Sequence, residues 1–250
     1  MSGVDIVTVR ENTEGFYADR NMVVGSGEFM PSPDMALVVG VFTRKAIRRV
    51  AKVAFELAST RGQHVTLVHK SNVMPMAFGL FLDECRAVAE EYPGIEFDDF
   101  LFDAMAAYLV RHPQRFDVIV TENLFGDTLS DLTGELVGAL GMSGSINAGE
   151  SHAMAQAAHG SAPDIAGKGI ANPVGMIISA AMLLQWVGER NDSLSLRQAA
   201  MRIDGAVDLV LASGVQTHDL GGQVGTAEFT EAVLEALPSV SASPLVGGRQ

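Results

Sequence analysis

Four short apolar segments, each rich in β-branched residues, constrain the fold of this chain more than any other feature of the sequence. They are residues 4–9, 37–42, 65–68 and 118–120. Segments of this length and composition, bounded by polar or turn residues, are typical of buried β-strands. Helical periods lie between and after them. Strands that alternate with helices indicate an α/β fold.

The helical periods carry clear apolar faces. The strongest covers residues 43–60, and its apolar stripe is expected to pack on the sheet. The stripe consists of Ile47, Val50, Val53, Ala54 and Leu57. Five basic residues on the opposite face are interpreted as a solvated surface: Arg44, Lys45, Arg48, Arg49 and Lys52. Further helices are predicted over residues 76–91, 104–111, 124–140, 173–189 and 194–212.

Cap and turn residues define the remaining segments. Thr226 is predicted to be the N-cap of a last helix that ends near Leu237. Pro173 is predicted as the first residue of its helix, where proline is favoured. Residues 25–33 are predicted to form a loop, and the Ser-, Pro- and Gly-rich tail, residues 238–250, is predicted to fray.

Composition and charge narrow the class of protein. The chain has 250 residues, of which 48% are hydrophobic and 19% charged, as in globular proteins. A net charge of −13 disfavours binding to nucleic acid or to an anionic membrane. The longest apolar run, residues 174–187, contains Gln185 and is shorter than the roughly 20 residues of a membrane span. With a single cysteine and no leader pattern at the start, we expect a cytoplasmic protein.

Acidic residues supply the first candidate site. Asp127 and Asp131 are four residues apart near the start of a predicted helix, so both carboxylates project from one face. Together with Asp103 they could supply the oxygen ligands that Mg²⁺ or Mn²⁺ prefers. The alternative is that acids in the opening turns of a helix complement the helix dipole. Spacing alone favours this second interpretation.

Three further residues have both a functional and a purely structural interpretation. Lys70 follows a predicted strand, where a lysine usually marks the surface end of the strand. Near a metal, however, the pKa of a lysine falls, which suits it to proton transfer. Tyr17 could be a half-buried core aromatic, and Arg10 could form a surface ion pair. Taken singly, the structural interpretations of these two are favoured.

Residues 159–172 form a turn-rich segment that could bind a cofactor. It is not a dinucleotide-binding Gly-x-Gly-x-x-Gly motif, because Gly167 and Gly169 are followed by Asn172 where the third glycine would stand. A loop of this length in a compact domain is commonly functional, and Asp164 could accept hydrogen bonds from a ribose diol. The alternative is a loop that only connects two elements. Both interpretations remain open.

Four sequence blocks resemble the β-decarboxylating dehydrogenases, the family of isocitrate, 3-isopropylmalate, homoisocitrate and D-malate dehydrogenases. The blocks are VRENTEGFY at residues 9–17, HKSNV at 69–73, NLFGDTLSD at 123–131 and HGSAPDIAGKGIANP at 159–173. They occur in the family's order, and the match ends with DLGG at 219–222. The resemblance implies an NAD-dependent oxidation and decarboxylation of a 3-substituted malate.

The resemblance also implies a role for each matching residue. Arg10 and Asn72 would bind the small-molecule substrate, Lys70 would take part in removing the hydroxyl proton, and Tyr17 would protonate the carbon that loses carbon dioxide. Asp103 of one subunit would bind Mg²⁺ or Mn²⁺ with Asp127 and Asp131 of the other, which implies a homodimer with shared sites. The residues implied to bind NAD are His159, Gly160, Ser161, Ala162, Asp164, Ile165 and Asn172.

Two cofactor features follow from the same comparison. The pair Asp164 and Ile165 resembles the pair found at this place in the NAD-dependent members. The physical reason for that preference is that a carboxylate accepts hydrogen bonds from ribose hydroxyls and repels a 2′-phosphate. The family usually has Phe-Glu shortly before the HGSAPD block, whereas this chain has Ala155 and Gln156. Residues 69–75 and 79–83 are closer to isocitrate and homoisocitrate enzymes than to most isopropylmalate enzymes.

The expected fold is an N-terminally truncated, isopropylmalate dehydrogenase-like two-domain α/β fold. Residues 1–137 would form the small, dimerising domain, and residues 138–250 the C-terminal part of the large cofactor-binding domain. The family has about a hundred further residues before the first block, a sizeable part of its fold. The alternative hypothesis is therefore a non-catalytic partner subunit or a gene fragment of the same family.

Overall fold

The computed structural model describes residues 3–17 and 24–240. These residues fall into two units, 3–133 and 134–240, and the division lies within a helix, Asn123–Val137. Among the described residues, no helix combines the length and the apolar character that a membrane span requires. Each unit is built around its own group of buried apolar side chains.

A four-stranded parallel sheet forms the centre of the first unit. Its strands are β1 (Val7–Arg10), β4 (His64–His69), β5 (Glu96–Leu101) and β6 (Val118–Thr121), in the order β1-β6-β4-β5. All four residues of β6 are buried, as expected for a strand covered on both faces. The predicted strands at 4–9, 65–68 and 118–120 correspond to β1, β4 and β6. Strand β5 was not predicted.

Helix α1 (Arg44–Ala58) packs on this sheet together with α2 (Ala77–Ala89). Ile47, Val50 and Ala54 of the predicted stripe are buried as expected, and the buried face also includes Ala51, Phe55 and Ala58. Val53 was wrongly included in that stripe, since it is 49% exposed. The unit also contains helix α3 (Phe102–Arg111) and the start of helix α4 (Asn123–Val137).

Four of the five basic residues of α1 are paired with carboxylates rather than merely solvated, namely Arg44, Arg48, Arg49 and Lys52. Arg44 binds Glu84 at 2.5 Å, and Lys52 lies 3.3 Å from Glu91. Arg49 reaches Glu11 at 2.8 Å, and the Glu11 side chain is only 4% exposed. The cluster therefore joins α1 to its neighbours and offers little free positive charge to a ligand.

An exposed β-hairpin extends from the first unit. It consists of β2 (Glu28–Ser32) and β3 (Met35–Val38), which pair antiparallel with Phe29 opposite Leu37. The predicted loop at 25–33 was therefore wrong over β2. The predicted buried strand at 37–42 was also wrong, because every residue of β3 is exposed. The reason is that β3 pairs only with β2 among the described residues and has no sheet above or below it.

The second unit packs three helices and a small hairpin. Its hairpin consists of β7 (Gly144–Ala148) and β8 (Ala153–Ala157), and its helices are α5 (Val174–Arg190), α6 (Leu194–Ala212) and α7 (Thr226–Ala236). Its core lies between the helices and is formed by Val174, Ala206, Val207, Val210, Phe229 and Val233. The bounds predicted for α6 are confirmed.

The ends of two helices in this unit differ from the prediction. Gly225 is the N-cap of α7, and Thr226 is its first residue, because the Thr226 hydroxyl donates a hydrogen bond to the Ala171 carbonyl instead of capping the helix. Pro173 occupies the N-cap position of α5 rather than its first turn. Of the tail, Leu237–Ser239 forms a 3₁₀ turn, and residues 241–250 lie outside the described residues.

Candidate active site

The parallel sheet brings four of the predicted site residues to one edge. Arg10 is the last residue of β1, Lys70 directly follows β4, and Asp103 comes two residues after β5. Asp127 stands in the second turn of α4, the helix that follows β6. The carboxyl ends of parallel strands lie on the same side of a sheet, and this side is the usual position of ligand sites in α/β proteins.

Asp127 is the centre of the first cluster at this edge. Its Oδ1 accepts a hydrogen bond from Nη1 of Arg10 at 2.7 Å, and its Oδ2 accepts one from the Tyr17 hydroxyl at 3.1 Å. Nε of Arg10 donates to Oδ1 of Asn123 at 2.8 Å. One carboxylate thus holds a guanidinium and a phenol together, and the Asp127 side chain remains 50% exposed.

The phenol of Tyr17 stays protonated in this cluster. Partial burial and the hydrogen bond donated to Asp127 raise the pKa of Tyr17 above its ordinary value of 10.0, against the opposing charge of Arg10. The ring is 37% exposed, so Tyr17 is not a core aromatic. A protonated, accessible phenol can donate a proton to a bound molecule near neutral pH.

Glu122 is a buried carboxylate next to this cluster. It is only 1% exposed, and its Oε1 and Oε2 accept hydrogen bonds from the backbone N–H groups of Phe125 at 2.7 Å and Leu124 at 3.1 Å. Burial raises the pKa of the Glu122 carboxyl above its usual value, although these hydrogen bonds oppose the shift. Gly15 lies so close that an added Cβ would be 2.4 Å from Oε2 of Glu122, and its φ of +80° also favours glycine.

Lys70 and Asp103 form the second cluster. The Lys70 ammonium hydrogen-bonds Oδ1 of Asp103, and it holds the pKa of that carboxyl below its usual value. The Lys70 side chain is 22% exposed, whereas Asp103 is 68% exposed. Asn72 is exposed in the turn that follows Lys70. The Lys70 ammonium is therefore held at the edge of the sheet beside an exposed carboxylate.

The three aspartates do not form a complete metal site within one chain. Among residues 3–17 and 24–240, no group of three His, Cys, Asp or Glu side chains is arranged to hold a metal ion. Asp127 and Asp131 share one face of α4, whereas Asp103 is paired with Lys70. The exposed carboxylate oxygens suit Mg²⁺ or Mn²⁺ in chemistry. The single chain therefore offers two separate parts of such a site.

The predicted cofactor loop lies in the second unit. Residues 163–165 form a 3₁₀ turn, Asp164 is exposed, and Ala162 before it has the left-handed φ of 42°. A non-glycine residue in this conformation is strained, and such strain often occurs where a loop must hold a ligand. The other loop residues predicted to bind the cofactor, His159, Gly160, Ser161 and Ile165, are partly or fully exposed.

Asn172, at the end of the loop, is buried. It donates a hydrogen bond to Asp219 at 3.0 Å and accepts one from the Val174 N–H at 3.0 Å. It therefore fixes the start of α5 against the segment 218–220 and leaves little of its own side chain for a ligand. Gln156, which replaces the family's usual Glu, is exposed in β8.

Sequence reasoning missed two residues that shape the site, Glu122 and Asn123. Both follow a buried strand and begin a helix, the positions from which a side chain can cap the helix or reach a ligand. That placement was available from the predicted elements. Their long-range partners were not, since Asn123 contacts Arg10 and also donates to the Glu14 carbonyl at 3.1 Å.

Comparison with known proteins gives consistent matches. A model of the isocitrate/isopropylmalate dehydrogenase family matches residues 1–233. The isocitrate/homoisocitrate dehydrogenase of Thermus thermophilus is 47% identical over 95% of this chain and 67% of its own length. A catalytic subunit of the mitochondrial NAD isocitrate dehydrogenase of Arabidopsis thaliana is 42% identical over 94% of this chain and 60% of its own. The crystal structure of isocitrate dehydrogenase from Methylococcus capsulatus has a TM-score of 0.82 at 44% identity, covering 94% of this chain and 70% of that one.

Proposed function

Because the chain belongs to the isocitrate/isopropylmalate dehydrogenase family, we propose that it oxidises and decarboxylates a 3-substituted malate with NAD and Mg²⁺ or Mn²⁺. The observation that carries the proposal is the pair of clusters at the carboxyl edge of the sheet, Arg10 with Tyr17 and Asp127, and Lys70 with Asp103. Together they supply a carboxylate-binding cation, a proton donor, a proton acceptor and oxygen ligands.

Arg10 binds a carboxylate of the substrate. Two of its N–H groups are used by Asp127 and Asn123, which hold the guanidinium plane in one orientation. The other N–H donors of the guanidinium are available for a planar carboxylate. Asp127 balances the charge of Arg10, and the substrate carboxylate would use the donors that Asp127 and Asn123 do not occupy.

Lys70 and Tyr17 move the protons. Lys70 would accept the proton of the substrate hydroxyl, directly or through water, once its ammonium group has released a proton to solvent, and bound NAD would supply the hydride acceptor. After carbon dioxide departs, Tyr17 gives its phenolic proton to the carbon that held it. The raised pKa of Tyr17 keeps that proton available at neutral pH.

Asp127 and Asp131 of one subunit with Asp103 of a second would hold the metal. Bound there, Mg²⁺ or Mn²⁺ would supply Lewis-acid stabilisation of the negative charge that develops on the substrate. Asp103 would bind the metal as a carboxylate, because Lys70 lowers the pKa of Asp103. Because the two parts of the ligand set are separate within one chain, the complete site requires a homodimer.

The exposed β2-β3 hairpin supports association of two chains. Its apolar side chains are open to solvent, including Phe29 at 49%, Met30 at 63% and Val38 at 58% exposure. Apolar hairpins with free edges are sites of pairing with another chain. The second copy would cover this surface and bring Asp103 and Lys70 to the site of its neighbour.

NAD binds the loop at 159–172. The Asp164 carboxylate accepts hydrogen bonds from the adenosine ribose hydroxyls and repels the 2′-phosphate of NADP. Asp164 is exposed and is therefore able to reach a ligand.

The test is an assay of the purified chain with NAD and Mn²⁺ against isocitrate, homoisocitrate, 3-isopropylmalate, malate and tartrate. We expect metal-dependent NADH formation, with the higher kcat/KM for isocitrate or homoisocitrate, as the residues around Lys70 suggest. Carbon dioxide should be released in equal amount to NADH. Dimeric protein without turnover on any of these acids would contradict the proposal and favour a non-catalytic subunit.

A further inference from the structure

We propose that His69 is a positioning residue, whose imidazole Nδ1 accepts the Ser71 N–H and thereby fixes the turn that presents Lys70 and Asn72. The proposal rests on the proposed role of Lys70 in proton transfer. His69 itself does not reach the exposed edge, because it is the last residue of β4 and its side chain is 4% exposed.

Both ring nitrogens of His69 have partners. Nδ1 lies 3.2 Å from the Ser71 nitrogen, and Nε2 lies 2.9 Å from Oδ2 of Asp99 in β5. A backbone N–H can only donate, so Nδ1 must carry a lone pair, and the proton of the ring resides on Nε2. The geometry thus defines one neutral tautomer, which binds the turn on one side and the neighbouring strand on the other.

The turn itself is closed around Lys70. The Lys70 carbonyl accepts hydrogen bonds from Val73 N–H at 3.1 Å and Met74 N–H at 3.0 Å. The Lys70 carbonyl and the Ser71 N–H belong to one peptide unit, so the turn and the His69 ring together fix the orientation of that unit. A change in the dihedral angles at residue 70 or 71 would displace the ammonium group, which is otherwise held at Asp103.

Such a displacement matters for catalysis more than for stability. Misplacing a reacting group by about 1 Å can cost roughly 100-fold in rate. If His69 were only a hydrogen-bonded core residue, its substitution would instead lower kcat and stability together. The two nitrogen atoms of the ring allow these cases to be separated by substitution.

His69→Asn and His69→Gln form the matched pair for the test. The asparagine side chain ends near the position of Nδ1, so its oxygen can still accept the Ser71 N–H, as in an Asx turn. The glutamine side chain ends near Nε2, so it keeps the Asp99 contact but loses the acceptor for Ser71. We expect H69Q to lower kcat by roughly 10- to 100-fold and H69N by less than about fivefold, with KM for the substrate changed less than kcat in both.

His64→Asn is the control on the same strand, because the asparagine side chain ends near the position of Nδ1 and does not reach that of Nε2. His64 lies at the other end of β4, and its Nε2 is 3.2 Å from Oδ1 of Asp98, a pairing similar to that of His69 with Asp99. This variant loses a histidine–aspartate contact without touching the turn. We expect its Tm to fall while its kcat stays within about twofold of the wild type.

Amide hydrogen exchange gives a readout that does not need turnover. The Ser71 amide should exchange faster in H69Q than in the wild type and remain protected in H69N. Equal loss of kcat in H69N and H69Q, full activity of H69Q, or unchanged Ser71 exchange in H69Q would each overturn the proposal. If the wild type turned over no substrate, the proposed function would fail, while the exchange data would still decide whether His69 fixes the turn.

Discussion

Asp127 is the residue whose loss should be most informative, since one carboxylate serves Arg10, Tyr17 and the proposed metal. Asp127→Asn keeps the shape of the side chain but binds a divalent cation less strongly. We expect Mn²⁺-dependent turnover to fall by at least about 100-fold, and Mn²⁺ affinity by at least about tenfold. Calorimetric titration with Mn²⁺ and steady-state assays would measure the two effects.

The control for this variant is Asp83→Asn, which neutralises an exposed aspartate on α2 away from the sheet edge. Its metal affinity and turnover should match those of the wild type. An unaltered Mn²⁺ affinity in D127N would remove Asp127 from the ligand set.

We predict that the choice of cofactor depends on the charge of Asp164. Wild-type protein should strongly prefer NAD to NADP, and Asp164→Ala should raise the KM for NAD by about tenfold or more because a charged hydrogen bond is lost. Asp164→Asn keeps an acceptor without the charge, so it should lose mainly the discrimination against NADP. Steady-state kinetics with both cofactors would test this, and equal wild-type efficiency with NAD and NADP would speak against the assignment.

His64 should make stability depend on pH. The Asp98 carboxylate beside the ring raises the pKa of His64 above its usual value of 6.5, against the effect of burial. Nε2 of His64 lies 3.2 Å from Oδ1 of Asp98, which is an ion-pair distance, but the two groups do not have hydrogen-bond geometry. We therefore attribute the raised pKa of His64 mainly to the charge of Asp98. A raised folded-state pKa stabilises the fold fully below the unfolded value of about 6.5, and this contribution is lost as pH rises through the folded-state pKa.

The comparison of wild type with His64→Gln measures that contribution. We expect the difference in the free energy of unfolding to be about 1 kcal/mol at pH 6, and to shrink at pH 9. Urea unfolding at the two pH values would give both differences. A difference that is constant or grows with pH would mean that the charge of His64 does not stabilise the fold.

Helix α1 depends on a cap that also binds a loop near the site. The Thr43 hydroxyl accepts a hydrogen bond from the Ala46 N–H at 3.2 Å and donates to Oε1 of Glu14 at 2.7 Å. The Thr43 N–H donates to Oε2 of Glu14 at 2.7 Å. Glu14 precedes the glycine turn that leads to Tyr17, so the helix and the turn share one anchor.

Thr43→Ala should therefore destabilise the chain by about 1–2 kcal/mol, or roughly 2–6 °C in Tm. Thr43→Ser retains the hydroxyl and should lose less than half as much. Thermal unfolding followed by circular dichroism would compare the two. Equal losses in both variants would show that the methyl group, not the cap, stabilises this position.

The sequence predicted those helices and strands whose own residues carry a regular apolar pattern. Helix α6 has regular apolar spacing, and strands β4 and β6 are apolar runs, so their own residues identify them. Strand β5 was missed because Asp98 and Asp99 lie in its middle, and acids are unfavourable in strands. Distant residues pair with these acids, His64 and Arg115 with Asp98, and His69 and Arg86 with Asp99.

The same limit applies to the candidate site. The position of Arg10, Lys70 and Asp127 after strands or in a following helix can be predicted from the order of elements. The pairing of Arg10 with Asp127, 117 residues later, and the separation of Asp103 from Asp127 cannot, since both depend on the order of strands in the sheet. Strands β7 and β8 were also missed, because they consist mainly of small residues that pack on α5.

At the scale of the whole molecule, the shared site can be tested by mixing two inactive proteins. If Lys70 acts at the site that holds Asp127 of the partner, a heterodimer of K70A and D127N has one intact site. Refolding a 1:1 mixture should give about one quarter of wild-type activity, since half of the dimers are mixed and each has one working site. The readout is NADH formation before and after mixing.

The mixture of K70A with D103N is the control. Lys70 and Asp103 are paired within one chain, so both would serve the same site of the partner. Each site of the mixed dimer then lacks one of the two, and no activity should return. Recovery in this control, or none in the K70A and D127N mixture, would contradict sharing of the sites.

The strand order also determines the sequence of events in folding. Strands β4, β5 and β6 all lie between residues 64 and 121, whereas β1 joins the sheet only by pairing with β6, with Val7 opposite Val118. Closing so long a loop costs more chain entropy than closing the shorter ones, so the contacts of β1 are expected to form late. Arg10 is carried by that strand. We therefore expect a newly made chain to hold its central strands and helices together before Arg10, the proposed carboxylate-binding cation, reaches its position.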